Sequence, residues 1–178
     1  MIVILLAFMV LLLSTAVIVL FAMLGELYAR VGPPADTAPR PLTEVSIGQR
    51  PAAWPIELER LATADHAILL VLSSACGSCA KVATQLREQT KPLGDHEMGV
   101  VLSTADAERA DVFLREHGLP KESVYVDVGG KWLVAAFGVQ TSPSALMLRA
   151  GGLSSALTFT DVAALRTALA ADREKEAV

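Results

Sequence analysis

Hydrophobic and polar positions divide the chain into three stretches of different texture. From Met1 to Leu24 the only polar side chains are Ser14 and Thr15, and no charged residue occurs before Glu26. A helix over residues 2–24 is about 34 Å long at roughly 1.5 Å per residue, enough to cross a hydrocarbon core of ~30 Å with some tilt. Both hydroxyls can bond back to their own helix. A cleaved leader is the competing reading, and it wants a basic start, a shorter apolar core and a small-x-small cleavage site. Here no Lys or Arg precedes the run, and Leu27-Tyr28-Ala29-Arg30 is a poor cleavage context. The expectation is an uncleaved transmembrane anchor over residues 1–25.

Residues 26–55 form the second stretch. It holds Pro33, Pro34, Pro39, Pro41, Pro51 and Pro55, six of the nine prolines in the chain. Proline fixes φ and removes a backbone donor, so an extended, semi-rigid linker is expected, with at most a short edge strand around Thr43–Ile47. Trp54, at its end, is expected to pack under a loop.

From residue 56 onward the pattern is that of a globular domain, 56–178. Residues 67–73 (AILLVLS) are a continuous apolar run, the signature of a strand buried on both faces. A helix follows over Ala75–Gln89, then a second buried strand over Gly99–Ser103. Asp106 is placed to cap a helix running to His117, which Gly118 and Pro120 stop. Ser123–Asp127 alternates as a strand and leads through Gly129-Gly130 into a short helical or irregular passage ending at Gly138. Ala145–Leu148 and Leu153–Phe159 flank Gly151-Gly152 as a hairpin. Thr160 or Asp161 caps a last helix, Val162–Ala170, and Asp172–Val178 is expected as a solvated tail. Alternating strands and helices followed by a hairpin and a helix predict an α/β fold, a mixed sheet with helices on both faces.

Composition narrows the function classes. The chain has 178 residues with 15 Lys+Arg against 19 Asp+Glu, a formal charge of −4. Nucleic-acid binding needs clustered cations to displace counterions, and this balance argues against it. At 53% apolar residues the chain is not disordered as a whole, and its size suits one domain behind the anchor.

Only two cysteines occur, Cys76 and Cys79, in Cys-Gly-Ser-Cys just after the first buried strand and at the opening of a helix. Three chemistries compete for them. Zinc wants four ligands, yet there is no second cysteine pair, and His66, His96 and His117 are scattered along the chain. A structural bridge across so short a loop gains little entropy. A redox dithiol fits the position, because unpaired N–H groups and the dipole at a helix start stabilise a thiolate. Cys76 is then the attacking sulfur and Cys79 the shielded resolving one, with Gly77 allowing close approach of a partner and Ser78 small and polar. Trp132, Phe137, Met98 and Met147 read as packing residues, and His117 as a helix C-terminal residue.

These motifs resemble the membrane-anchored thioredoxin-fold proteins of the TlpA/MauD type, a thiol:disulfide interchange family. The resemblance covers roughly residues 56–170 and rests on LLVLSSACGSC, the inserted helix and strand over 106–127, Ala136-Phe137-Gly138-Val139, and Thr141-Ser142-Pro143. The anchor's exit, Gly25-Glu26-Leu27-Tyr28-Ala29-Arg30-Val31-Gly32-Pro33, is similar to the MauD branch of methylamine-utilisation accessory proteins. The resemblance implies a thioredoxin-like fold with an inserted helix–strand unit. It also implies that Pro143 is cis and faces the dithiol, with Ser142 meeting the bound polypeptide through its backbone. Thioredoxins carry a buried Asp where this chain has Leu70, which leaves Glu57, Glu59, Lys81 or water to take the proton from Cys79.

The activity expected is thiol–disulfide exchange with protein cysteines. The resemblance adds a membrane electron donor of the DsbD/CcdA kind, or a part in maturing a secreted enzyme such as methylamine dehydrogenase or a cytochrome. No cofactor and no metal are expected. A peroxiredoxin-like peroxidase is an alternative, with Ser73 in place but Leu69 where that signature needs proline. A non-catalytic thioredoxin-fold binding module is another. Arg30 and Arg40 after the span favour a cytoplasmic domain by the positive-inside rule. An anchored dithiol has more use in an oxidising compartment, so the extracytoplasmic side is expected.

Overall fold

The continuous apolar run at 67–73 forms the central strand of a six-stranded sheet. In the computed structural model the described residues are 9, 11, 13–15, 17, 23, 38–88, 93 and 96–176, with side chains described through 171. Two compact units are present, Met1–Asp36 and Thr37–Val178. In the first, residues 9, 11, 13–15, 17 and 23 are helical, and the Thr15 hydroxyl donates to the Leu11 carbonyl at 2.7 Å. Among the described residues no helix is long and apolar enough to cross a membrane. The span expected over 1–25 lies largely outside them.

The second unit contains β1 (Arg40–Pro41), β2 (Ala67–Ser73), α1 (Gly77–Glu88), β3 (Glu97–Thr104), α2 (Ala107–His117), β4 (Val124–Val128), α3 (Lys131–Phe137), β5 (Ser144–Arg149), β6 (Gly152–Thr158) and α4 (Val162–Glu176). Short 3-10 helices lie at Ile56–Ala62 and Lys121–Ser123. The sheet order is β1-β6-β5-β2-β3-β4, with β2, β3 and β4 parallel and β1, β6, β5 and β2 successively antiparallel.

Side chains alternate across a strand, so β2 feeds two cores. Ile68, Leu70 and Leu72 pack with Cys79, Val82, Phe113, Leu114, Val162 and Leu165 from α1, α2 and α4. Ala67, Leu69 and Val71 face the other way, onto Leu58, Leu61, Leu133 and Phe137. All six are buried, which is why the sequence shows a run and not an alternation. Trp54 packs on this second core, its ring 5.9 Å from Trp132 and 6.1 Å from Phe137.

Four local expectations need correction. The ladder at the sheet edge falls at Arg40–Pro41, not at Thr43–Ile47. Backbone bonds join Leu42 and Gly48 to β6 at Ala156 and Leu153, and the chain bows away between them to seat Leu42 and Val45 on the core. The stretch from Arg40 onward, expected as a spacer, thus lies along the domain. The hairpin turns at Ala150-Gly151, one residue before the Gly-Gly pair, with φ of 47° and 75° as a type I′ turn requires. A Cβ on Gly151 would stand 2.6 Å from the Ala62 carbonyl oxygen, so glycine is needed there on two counts. Finally, α4 runs on to Glu176, since nothing after Ala170 breaks a helix and Arg, Glu and Lys extend one.

The α2 boundaries follow the sequence reading. Asp106 accepts the Arg109 N–H at 2.8 Å, and Gly118 ends the helix in the left-handed region at φ 63°.

Candidate active site

The parallel strands β2 and β3 deliver their C-terminal ends to one edge of the sheet, and the chain must turn there to start α1. Ser73 closes β2, and its carbonyl takes the Cys76 N–H at 3.2 Å. The Ser74 hydroxyl donates to Thr104 Oγ1 at 2.9 Å, and Thr104 passes its own proton to the Asp106 carbonyl at 3.0 Å. This chain of hydroxyls ties the turn to the end of β3. Cys76 then stands at the N-cap of α1. Its carbonyl receives the Ala80 N–H at 3.1 Å, and its Sγ receives the Cys79 N–H at 3.3 Å. A sulfur here does what a Ser or Asp oxygen does at other helix starts, satisfying a donor the helix cannot.

The opposite wall is the loop before β5. The Ser142-Pro143 peptide is cis, and Cys76 Sγ lies 3.7 Å from the Ser142 carbonyl. The loop is pinned from behind: the Pro143 carbonyl accepts from Phe159 N at 3.4 Å and Thr158 Oγ1 at 3.2 Å, and buried Ser144 donates to the Thr141 carbonyl at 2.9 Å. Ser78 Oγ completes the surroundings, 3.0 Å from Cys76 Sγ. Gly77 is exposed, and a Cβ there would meet open space, so nothing inside the domain demands glycine.

The two thiols are held in unlike environments. Partial burial pushes Cys76 up, but the Cys79 thiol, the Ser78 hydroxyl, the Cys79 N–H and Ser142 outweigh it, and the net shift is downward. Cys79 is fully buried. Burial first, and then its bond to the Cys76 sulfur, push the Cys79 thiol up to about 12. Besides burial, the groups that act most on Cys79 among the described residues are Cys76, Ser73 and Ser142. Glu57 and Glu59 belong to the 3-10 helix under the opposite face, where Glu57 acts on Tyr125, and exposed Lys81 acts on Asp161. None of the three proton acceptors considered from sequence is brought to Cys79, and Leu70 is buried where an acid would have stood.

The structure gathers Cys76, Ser78, Cys79 and Ser142 and places cis Pro143 beside them. Sequence reasoning missed the Ser74–Thr104 tie, whose only trace is a hydroxyl at each strand end. Ser73, the residue that kept a peroxidase in view, spends its hydroxyl accepting the Ala75 N–H at 3.3 Å. Two scattered histidines do meet. Parallel pairing of Ala67 with Glu97 sets His66 beside His96, with ring centroids 6.0 Å apart, at the opposite ends of β2 and β3 from the cysteines. His117 bonds Thr84 at 3.1 Å and lies against Phe113. Among the described residues no three His, Cys, Asp or Glu side chains form a metal-ligating group.

No protein-family profile matches the chain, and no curated protein matches it. Solved structures do. A proposed protein disulfide isomerase from Bacteroides thetaiotaomicron is similar at 17% identity and a TM-score of 0.52, over 73% of this chain and 89% of that one. The thioredoxin domain of a thiol-disulfide oxidoreductase from Bacteroides vulgatus is similar at 11% identity and a TM-score of 0.51, over 72% and 96%. At such identities the likeness is one of fold. With its mixed sheet, flanking helices and inserted α2–β4 unit, the chain carries a thioredoxin-like α/β domain.

Proposed function

We propose that this domain is a thiol–disulfide oxidoreductase that exchanges electrons with protein cysteines through Cys76 and Cys79. The observation that carries the reading is the asymmetry of the pair: one sulfur half-buried at a helix start with its pKa lowered, the other enclosed with its pKa raised to about 12. The fold shared with thiol-disulfide oxidoreductases supports it.

In the reducing direction the Cys76 thiolate attacks a substrate disulfide. A Cys76–substrate bond forms, the substrate S–S bond breaks, and one substrate thiolate leaves. The Cys76 charge is then gone, and with it part of what kept Cys79 protonated. Cys79 loses its proton to the departing thiolate or to water and attacks Cys76 Sγ. The intramolecular disulfide forms and the second substrate thiolate departs, so two electrons have passed from the dithiol to the substrate. Oxidation of a substrate dithiol is the same sequence reversed. Ser142 and Pro143 wall the approach to Cys76, and Gly77 and Ser78 leave it open to a second chain.

The remainder of the reading rests on sequence. The domain is tethered by an N-terminal membrane helix, faces the extracytoplasmic side, and trades electrons with a membrane donor of the DsbD/CcdA kind in the maturation of a secreted enzyme. Cys79→Ser tests the central point. That variant is expected to accumulate mixed disulfides through Cys76, and mass spectrometry of the trapped species names the partner. Absence of any Cys76-linked partner, with no reduction of insulin by the parent chain, would overturn it. Labelling by a membrane-impermeant thiol reagent in intact cells is expected for an extracytoplasmic Cys76, and protection of the reduced thiol until lysis would reverse the orientation.

A further inference from the structure

Beside the dithiol, two cavities follow one another along the loop that leads to Pro143. The nearer, about 230 Å³, is lined by Val71, Ser73, Leu133, Val139, Gln140 and Ser142. The farther, about 430 Å³, lies between the bowed segment after β1 and the same loop, with Leu42, Thr43, Glu44, Val139, Gln140 and Thr141 in its walls. Val139 and Gln140 belong to both, so the cavities adjoin, and Ser142 links the nearer one to Cys76 Sγ at 3.7 Å.

The walls of the farther cavity differ from the rest of the site. Around Cys76 the hydroxyls of Ser73, Ser74 and Ser78 and the Cys79 N–H are engaged within the domain. Here the side chains of Thr43, Glu44, Gln140 and Thr141 enter no hydrogen bond or ion pair with any described residue. Among the described residues Glu44 is the only charged group lining it, and no described Lys, Arg or His faces that carboxylate across the cavity. The cavity exists because residues 43–47 bow off β6 between the Leu42 and Gly48 bonds, so its outer wall belongs to the segment that precedes the sheet core.

We propose that this farther cavity is a substrate subsite that takes a lysine or arginine side chain flanking the target cysteine, with Glu44 as its counter-charge. The proposal rests on the oxidoreductase reading for the position of the target sulfur at Cys76. An extended peptide advances about 3.3 Å per residue, so a side chain two or three residues from that sulfur reaches past Gln140 into the cavity. A cation beside a cysteine also lowers the pKa of its thiol and makes it a better leaving group, so such substrates are chemically suited to exchange. Thr43, Gln140 and Thr141 offer oxygens to the remaining protons of an ammonium or guanidinium.

The test uses the full, reduced chain and short peptides of one sequence, each carrying a central cysteine as a mixed disulfide with a chromophoric thiol. Lys, Gln or Glu occupies the positions two residues to either side. At low salt the Lys peptide is expected to react about 2- to 5-fold faster than the Gln peptide and the Glu peptide slower, the range of one solvent-exposed ion pair. The order should collapse at about 1 M salt. Glu44→Gln should bring the Lys-to-Glu rate ratio towards unity and Glu44→Lys should invert it. Glu116→Gln, an equal charge change on α2, should leave the ratio as it was. Equal rates for all peptides with the parent chain, or a ratio untouched by Glu44→Gln, would overturn the subsite while leaving the oxidoreductase reading intact. Fluorescence anisotropy with labelled Cys→Ser peptides gives a readout free of chemistry. Glu44-dependent binding of the Lys peptide without any exchange would uphold the subsite and sink the oxidoreductase reading, and no preference in binding or exchange would sink the subsite.

Discussion

The two ends of β2 each bring reactive side chains together, and they do so by different physics. At the entry end, parallel register sets His66 beside His96, in a cavity of about 170 Å³ that Met147 and Leu169 also line. The rings meet at 6.0 Å and a tilt of 54°, a contact between surfaces. At the exit end, α1 begins, and the Cys79 N–H and the Ser78 hydroxyl converge on a single sulfur beside the Ser142 carbonyl. Nearness is common to both ends. Convergent donors distinguish the second, and donors rather than nearness are what lower a pKa.

Substitutions at the exit end should therefore have large effects and those at the entry end small ones. Cys76→Ser should reduce disulfide exchange, followed by insulin reduction, to the uncatalysed background. Retained turnover would move the chemistry elsewhere in the chain. Ser78→Ala removes one donor from the thiolate. It should raise the Cys76 pKa and slow alkylation at neutral pH roughly fivefold, the worth of about 1 kcal/mol for one hydrogen bond. An unchanged rate would show that the helix start alone suffices.

Gly151→Ala lies outside both ends and separates fold from site. With φ at 75° and the Ala62 carbonyl 2.6 Å from the new Cβ, it should cost about 1–3 kcal/mol in urea unfolding, with Cys76 reactivity in the folded protein preserved. The smallest effects are expected for His66→Ala and His96→Ala: exchange within twofold of the parent, and stability within roughly 0.5 kcal/mol as for surface changes generally. A large loss of exchange in either would show that the entry end is coupled to the dithiol.

Stability against pH carries the same asymmetry. The folded Cys79 pKa, about 12, lies above the unfolded value, so the folded state holds the proton more tightly. That contribution to the reduced form is fully present below the unfolded value, ~8.5, and is lost as pH rises towards the folded one. The stability gap between the reduced parent and Cys79→Ala should therefore narrow from pH 8 to pH 11 (roughly the span between those two pKa values) in urea titrations. A constant gap would mean that Cys79 ionises as readily folded as unfolded.

Where local chemistry dictates structure, the sequence was legible. The apolar run of β2, the Asp106 and Gly118 ends of α2, and the placement of the cysteines at the start of α1 each follow from residues within a few positions of one another. What escaped depends on contacts distant in sequence. The edge pairing at Arg40–Pro41 is set by where Leu42 and Val45 reach the core, while the β propensity of Val45 and Ile47 points a few residues later. The turn at Ala150-Gly151 is fixed by the close approach of Ala62, which no local pattern reports. His66 and His96 are thirty positions apart and adjoin only through strand register. The proton acceptors proposed for Cys79 failed for the same reason, since Glu57 and Glu59 sit beneath the other face of the sheet.

The most direct measurement is the pH dependence of alkylation of each cysteine in the reduced, folded chain, resolved by mass spectrometry. Cys76 is predicted to react with a midpoint below that of a free cysteine, while Cys79 stays unmodified through neutral and mildly alkaline pH until the chain unfolds. Equal reactivity of the two, or a Cys76 midpoint at or above the free-thiol value, would contradict the account.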